Sequence, residues 1–459
     1  MGECVPNRKR IAKLMEKEER VLQESTPKCR ELYQRAMRSM PKGVASSYQA
    51  RDPYPIYLSH GEGSRVFNVD GQEKTDFHNG YGCMVQGHAH PAIVEAVSKR
   101  MKLGSQFGMA TEDQIVVAEH LARNFKLPKW RFVNSGSEAT MDAIRIARAF
   151  TGRDTVLKIM GSYHGHHDYV MVSVLMFDTD MGPRDDYVSL PYSGGQPACT
   201  VEMTVPVPFN DIAMMRVRIE RLLEEGRKPA CLIMEPAMMF LGVILPEPGY
   251  LEAVRALTKE HGIVLIFDEV KTGITTAAGG AVERFGVVPD MVCLAKAISG
   301  GLPAGAVGGT DEIMETVNGG KVYQVGTYNG NPLCMAAARA SLEEVMTPEA
   351  YRRLDYLNDS LMSGVDAITA RYGLPFHSVG IRSKGVVILA AERIVDYESF
   401  VRIQDYEFVK LAWLYAFNRQ VLTSAGREVG WVLSVQHNDE DVERYLAFYD
   451  ALLHDVTEA

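Results

Sequence analysis

The sequence predicts an α/β fold, with a large domain built on a mainly parallel sheet flanked by helices and a smaller α+β domain. Two observations carry that prediction. Between residues 91 and about 347, helical apolar periodicity alternates with short, wholly apolar runs, and strands separated by helices build parallel sheets covered on both faces. Beyond 347 the order changes to two helical patterns, strand-like runs near 385–390 and 430–436, and a closing amphipathic helix over 440–453. With 459 residues, 46% hydrophobic and 23% charged, the chain has ample apolar material for both cores.

Each element follows from its local pattern. Ile11, Leu14, Met15, Val21 and Leu22, then Leu32, Tyr33, Ala36 and Met37, recur at helical spacing, which predicts an N-terminal arm of two helices broken near Pro27. The runs 65–68 and 74–77 flank Val69-Asp70-Gly71-Gln72, where Asp-Gly between alternating residues predicts a hairpin. Seven apolar runs read as the strands of the large sheet: 131–134, 155–159, 169–174, 230–234, 263–267, 291–294 and 306–308. The expected division is 1–80 for the arm and part of the small domain, 81–346 for the large domain, and 347–459 for the C-terminal small domain.

Composition excludes several functions. The balance of 49 basic against 58 acidic residues leaves a net charge of -9, so neither nucleic acid nor an anionic membrane is an expected partner. The stretch 231–245 is interrupted by Glu235 and Pro236 and falls short of the about 20 residues a membrane-spanning helix needs. Residues 1–30 lack an apolar core of the secretory type, and Pro6 stands where a myristoylation site needs Ser or Thr. The cysteines, Cys4, Cys29, Cys83, Cys199, Cys231, Cys293 and Cys334, are odd in number and contain no C-x-x-C pair. That argues against a disulfide framework or a zinc site, and a cytoplasmic location is expected.

In open parallel sheets, ligands bind outside the carboxyl ends of the strands. The first such end reads Asn134-Ser135-Gly136-Ser137-Glu138, where Ser135 and Glu138 resemble a capping box and Gly136 allows close backbone approach. A helix start of this kind can cradle phosphate, and it can also be a plain cap. The second delivers Asp268 after a buried apolar strand, as a metal ligand, a general base, a helix cap or the partner of a protonated ring nitrogen. The third delivers Lys296 inside an otherwise uncharged stretch from Met291 to Thr310; a lysine so placed is costly to bury and suits Schiff-base chemistry. A phosphate cradle, a carboxylate and such a lysine are the parts that pyridoxal phosphate requires, and Tyr163 adds an aromatic ring that can stack on it.

These segments resemble the class III aminotransferases, of the fold type I pyridoxal phosphate enzymes. The resemblance rests on Asn134-Ser135-Gly136-Ser137-Glu138-Ala139, Gly161-Ser162-Tyr163-His164-Gly165, Glu235-Pro236, Phe267-Asp268-Glu269-Val270-Lys271-Thr272-Gly273, Pro289-Asp290 with Lys296, and Gly326-Thr327-Tyr328-Asn329-Gly330-Asn331-Pro332, in family order and spacing. It implies a seven-stranded large-domain sheet, with Lys296 carrying the Schiff base and shuttling protons and Asp268 pairing with the pyridinium nitrogen. It further implies that Gly136 and Ser137 bind the phosphate, that Tyr163 and Val270 cover the two ring faces, and that Glu235 lies close by. Thr327 is expected to reach the phosphate of a second subunit, so the active site is expected to belong to a homodimer; whether dimers pair into tetramers stays open. The histidine-rich stretch from His164 to Asp168 falls under the cofactor in this family, so no metal is expected.

Within the family, the stretches 85–91 and 300–306 resemble glutamate-1-semialdehyde aminomutase and the amine or β-amino-acid transaminases. The aminomutases carry an arginine where this chain has Gln49, and the β-amino-acid branch carries one where it has Ser47. Losing that guanidinium removes a bidentate carboxylate grip. The expected reaction is therefore ping-pong transfer from an apolar or aromatic amine to a keto acid such as pyruvate, with the aminomutase or β-amino-acid aminotransferase reaction as the alternative. Tyr48, Tyr81 and Met84 are expected to line the substrate pocket, and Arg51 and Arg427 are candidates for a movable carboxylate clamp or for plain surface arginines.

Overall fold

The computed structural model describes residues 6–176, 179–426 and 428–458. Its centre is a sheet of seven strands: β1 (Lys129–Val133), β2 (Val156–Ile159), β3 (Thr204–Val207), β4 (Cys231–Met234), β5 (Val264–Asp268), β6 (Met291–Leu294) and β7 (Gly305–Gly309). They lie in the order β1-β7-β6-β5-β4-β2-β3. All pairs are parallel except those of β7, which runs antiparallel to both β1 and β6.

The strand period of two divides the apolar residues between two cores. In β5, Val264 and Ile266 join one core with Ala139, Ile144, Ile233 and Cys293. Leu265 and Phe267 face the other, with Leu157, Leu232, Met234 and Val292. Burying each such side chain contributes about 1.5–3 kcal/mol. In β7, a Cβ on Gly308 would stand 2.6 Å from the Trp130 ring, so only glycine lets β1 and β7 keep their register here.

Six of the seven predicted strands are present, and one is corrected. The segment 169–174 forms turns with a single bridge from Val172 to Pro191, and the sheet takes β3 instead. Pro206 speaks against a strand, but β3 is an edge strand and pairs only with β2, where a missing N–H costs no ladder bond.

The N-terminal arm forms the helices Arg8–Ser25 and Pro27–Ala36, with Pro27 at the first position of the second. The first helix packs on helix Tyr406–Asn418, and Leu22, Cys29, Trp413, Leu414 and Phe417 share one cluster. Buried Glu18 ties the same two elements by accepting from Arg419 at 3.1 Å and from Asn418 at 2.7 Å. The predicted hairpin is present as Arg65–Asn68 and Glu73–Asp76, and Val421–Leu422 joins it in parallel. After residue 347, one helix, Pro348–Arg371, rather than two precedes the antiparallel sheet of His377–Ile381, Lys384–Ile388 and Val429–Val432. The second helix, Tyr406–Asn418, comes between its strands, and Asp439–Thr457 closes the chain. Among the described residues no helix is long and apolar enough to cross a membrane.

Because β5 is central and Leu265 is fully buried, Leu265→Ala is expected to cost about 2–5 kcal/mol, read as a lowered urea midpoint.

Candidate active site

The carboxyl ends of β1, β2, β4, β5 and β6 bring the predicted residues together. After β1, Ser135 caps the helix Gly136–Thr151 by accepting from the Glu138 N–H at 3.2 Å. Glu138 reaches back to the N–H of Asn134 rather than to that of Ser135, so the expected capping box is displaced by one residue. The loop is fixed from three sides. Asn134 donates to Asn329 at 3.0 Å, Thr140 Oγ1 donates to the His164 carbonyl at 2.6 Å, and the His166 N–H donates to Ser137 Oγ at 3.2 Å.

Close approach is built in with glycine. A Cβ on Gly136 would stand 3.0 Å from both Val270 methyls. Gly165 has φ +104, and its Cβ would stand 2.6–2.9 Å from Ser137. The segment after β2 therefore lies directly on the helix start.

Asp268 ends β5, buried, with two hydrogen bonds holding its carboxylate. His164 Nδ1 meets Oδ2 at 2.7 Å, and the Val270 N–H donates to Oδ1 at 3.0 Å. His164 Nε2 lies 2.8 Å from Ser162 Oγ, which also reaches the Ile159 carbonyl at 2.6 Å. Beneath them Lys158 donates to the Ser162 carbonyl at 2.8 Å, and burial lowers its ammonium to about 7. The histidine that positions Asp268 was missed in the sequence, because its partner lies 104 residues away.

Glu235, just past β4, is buried and accepts the Met239 N–H on Oε2 at 2.9 Å. Its Oε1 has no partner among the described residues. Burial raises its acidity constant above the usual carboxylate range, against an opposing pull from Lys271 and His164. Tyr163 stacks on Phe240 with ring centroids 5.1 Å apart. Lys296 follows β6 at the first position of a short 3-10 turn, Lys296–Ser299, with φ +48. A left-handed backbone at a non-glycine residue costs about 1–3 kcal/mol, and such strain concentrates at functional sites.

Toward the substrate side the backbone is again strained. Asn79, Gly80, Tyr81 and Gly82 all have positive φ. This sets the Tyr81 ring edge-on to His78 at 4.3 Å and to Tyr48 at 5.6 Å. Gln49 is committed to a local cap, its Oε1 accepting the Ser46 N–H at 3.0 Å. Arg51 lies 5.3 Å over the Trp413 ring, and Arg427 falls outside the described residues. Thr327 is exposed, its carbonyl taking a hydrogen bond from Gln106 Nε2 at 2.6 Å.

What these groups leave uncommitted fits pyridoxal phosphate. The free N–H groups and the Ser137 hydroxyl hydrogen at a helix start suit a phosphate. A buried carboxylate backed by histidine suits a ring N–H, the orphaned Glu235 Oε1 leaves a polar group to face the ring, and Lys296 supplies the amine.

Comparison with known proteins agrees. Residues 47–418 match the class III aminotransferase family. The chain is 36% identical over 431 residues to glutamate-1-semialdehyde 2,1-aminomutase 2 of Brevibacillus brevis, covering 93% of this chain and 98% of that one. An omega-transaminase structure from Sphaerobacter thermophilus superposes with a TM-score of 0.87 at 33% identity, over 94% of this chain and 98% of that one. A glutamate-1-semialdehyde aminomutase from Pseudomonas aeruginosa, solved also in complex with PMP, gives 0.89 at 28% identity, over 98% and 99%.

The chain belongs to the class III aminotransferase family. It is a pyridoxal phosphate enzyme of fold type I. The relatives named aminomutase back the isomerase alternative better than the amine-transaminase reading drawn from Gln49.

Gly165→Ala would drive a methyl into Ser137, including its backbone. The expected outcome is at least tenfold weaker retention of pyridoxal phosphate in equilibrium dialysis, with the far-ultraviolet dichroism of the fold retained.

Proposed function

We propose that Gly136, Ser137, Tyr163, Glu235, Val270, Asp268 and Lys296 hold the cofactor, and that the protein returns an amino group to a neighbouring carbon of the same substrate, as an aminomutase does. The observation that carries the site reading is the convergence of the His164–Asp268 pair and Lys296 at adjacent strand ends, two residues past β6 and at the last residue of β5. Bound pyridoxal phosphate supplies a carbonyl for covalent capture of amines and a protonated ring that draws electrons from the adjoining carbon. Lys296 Nζ takes the proton from the substrate carbon that bears the amine and returns it elsewhere. Asp268, oriented by His164 and the Val270 N–H, holds the ring N–H. The helix start at Gly136 anchors the phosphate, while Tyr163 and Val270 close the two faces against water.

The relatives support the aminomutase reading. Transfer from a plain amine to pyruvate is the second reading, favoured by Gln49, whose side chain caps its own turn where relatives carry arginine. One experiment separates them. Glutamate-1-semialdehyde converted without added keto acid supports the first; an amine that bleaches the visible band, with pyruvate restoring it, supports the second. In Lys296→Ala the band of the covalent Lys adduct is expected to be absent and turnover to fall by at least a thousandfold, and unchanged turnover would overturn the site.

We further propose a homodimer sharing its sites, with Thr327 reaching the other subunit's phosphate. The segments joined by the Gln106–Thr327 contact expose Leu103 by 70%, Met109 by 79% and Tyr323 by 83%, more contiguous apolar surface than a monomer usually leaves to water. Light scattering is expected to give a multiple of the 50.9 kDa chain, and Tyr323→Glu with Met109→Glu is expected to shift it to that mass. Cytoplasmic residence fits Cys29, Cys83, Cys199, Cys231, Cys293 and Cys334, which are free thiols.

A further inference from the structure

A second basic centre adjoins the site and is used by no step above. Lys271, three residues past Asp268, donates to the Met239 carbonyl at 2.6 Å, and Lys384 donates to the same oxygen at 2.8 Å. Lys384 is buried and paired with Glu428 at 3.0 Å. Lys271 is half-buried, and among the described residues no carboxylate lies within ion-pair distance of it. Burial and the nearby Lys384 push its ammonium well below the usual lysine range. Two ammonium groups thus share one carbonyl and one carboxylate.

The centre lines a small cavity bordered by Tyr81, Lys271, Ser383, Lys384, Ser424 and Glu428. Ser383 is fully buried, and its hydroxyl has no hydrogen-bond partner. Buried hydroxyls are rarely left so, because desolvation without a partner is costly. An unpaired cation and an orphaned donor on one cavity ask for the same thing, a small anion.

The cavity is next to the reacting lysine. Lys296 contributes to the depression of Lys271, and the Cys83 thiol, adjoining Tyr81 and Gly82, feels both. The Met239 backbone connects the centre to Glu235, since its N–H binds that carboxyl while its carbonyl binds the lysines.

We propose that Lys271, with Ser383 and Lys384, forms the subsite for a substrate carboxylate, so that the enzyme's substrates are amines that also carry an acid group. This rests on the pyridoxal phosphate reading of the Lys296 site and names its substrate class. A carboxylate seated there gives Lys271 its missing counter-charge and accepts from Ser383, while Glu428 stays on Lys384. It replaces the guanidinium that Gln49 lacks, from another wall of the site.

The test uses the holoenzyme, with succinate and glutarate as probes that carry carboxylates but have no amine or ketone to react. Calorimetry is expected to show saturable binding to the native protein, weakened at least tenfold in Lys271→Met and clearly reduced in Ser383→Ala. In parallel, the ratio of kcat/KM for ω-amino acids over alkylamines of equal length is expected to fall at least tenfold in Lys271→Met. Native enzyme that binds neither diacid, binding unchanged in both variants, or native preference for the alkylamine at every chain length would overturn the proposal. The visible band reports separately: its absence in the native protein sinks the cofactor reading, whereas its presence without diacid binding sinks only the subsite. Ser383→Ala removes a single oxygen, so it answers even where the lysine variant fails to fold.

Discussion

The buried pair of His164 and Asp268 is the contact on which the site depends. An ionised carboxylate inside the protein is tolerated only when its lone pairs are occupied, and removing one partner of a buried pair typically costs about 3–5 kcal/mol. Here the occupants come from different places in the chain. The Val270 N–H follows directly from β5, whereas His164 arrives from the loop after β2, two positions along in the sheet. That loop is in turn pinned to the helix after β1 through Thr140 and Ser137. One carboxylate therefore sets the relative positions of three strand ends, and a phosphate cradle and a ring-nitrogen partner acquire a fixed spacing.

Glycine completes this by removing distance. Gly136 against Val270 and Gly165 against Ser137 are contacts at which a methyl group has no room. The helix start approaches the strand ends as closely as backbones allow, which leaves its N–H groups facing the site and not packed behind side chains. Lys296 stands at the remaining corner in a left-handed conformation, held there by the short turn that follows and by buried Ala297 and Ile298.

Much of this was legible in the sequence because it is local. Continuous apolar runs ending in Asp268 or just before Lys296 announce buried parallel strands and place chemistry at their ends. What failed to read was long-range or exceptional. Pro206 hid β3 because edge position, which excuses a proline, is a property of the whole sheet. The segment 169–174 has strand-like composition, yet it packs across the structure without a ladder of its own. His164 was visible as a residue but not as the partner of Asp268, and Lys384 looked like an ordinary charge in the run Ser383-Lys384-Gly385, although the fold buries it.

The same limit explains the disagreement over substrate. Reading Gln49 against the arginine of relatives treats the carboxylate grip as belonging to one position, and concludes from its loss that the substrate is a plain amine. Electrostatics does not require that position. A carboxylate needs a cation whose charge is not already cancelled and hydrogen-bond donors that are not already used, from whichever wall can offer them. In this fold the wall beyond Asp268 offers Lys271 without a counter-ion and Ser383 without a partner. Gln49 is occupied in capping its own turn, and Arg51 is spread over an indole. A point charge on a flexible stem gives less orientation than a guanidinium fork, so a lysine-based grip favours recognition of the acid group over strict control of its angle. That suits a site whose substrate must turn between two carbons or alternate between two partners.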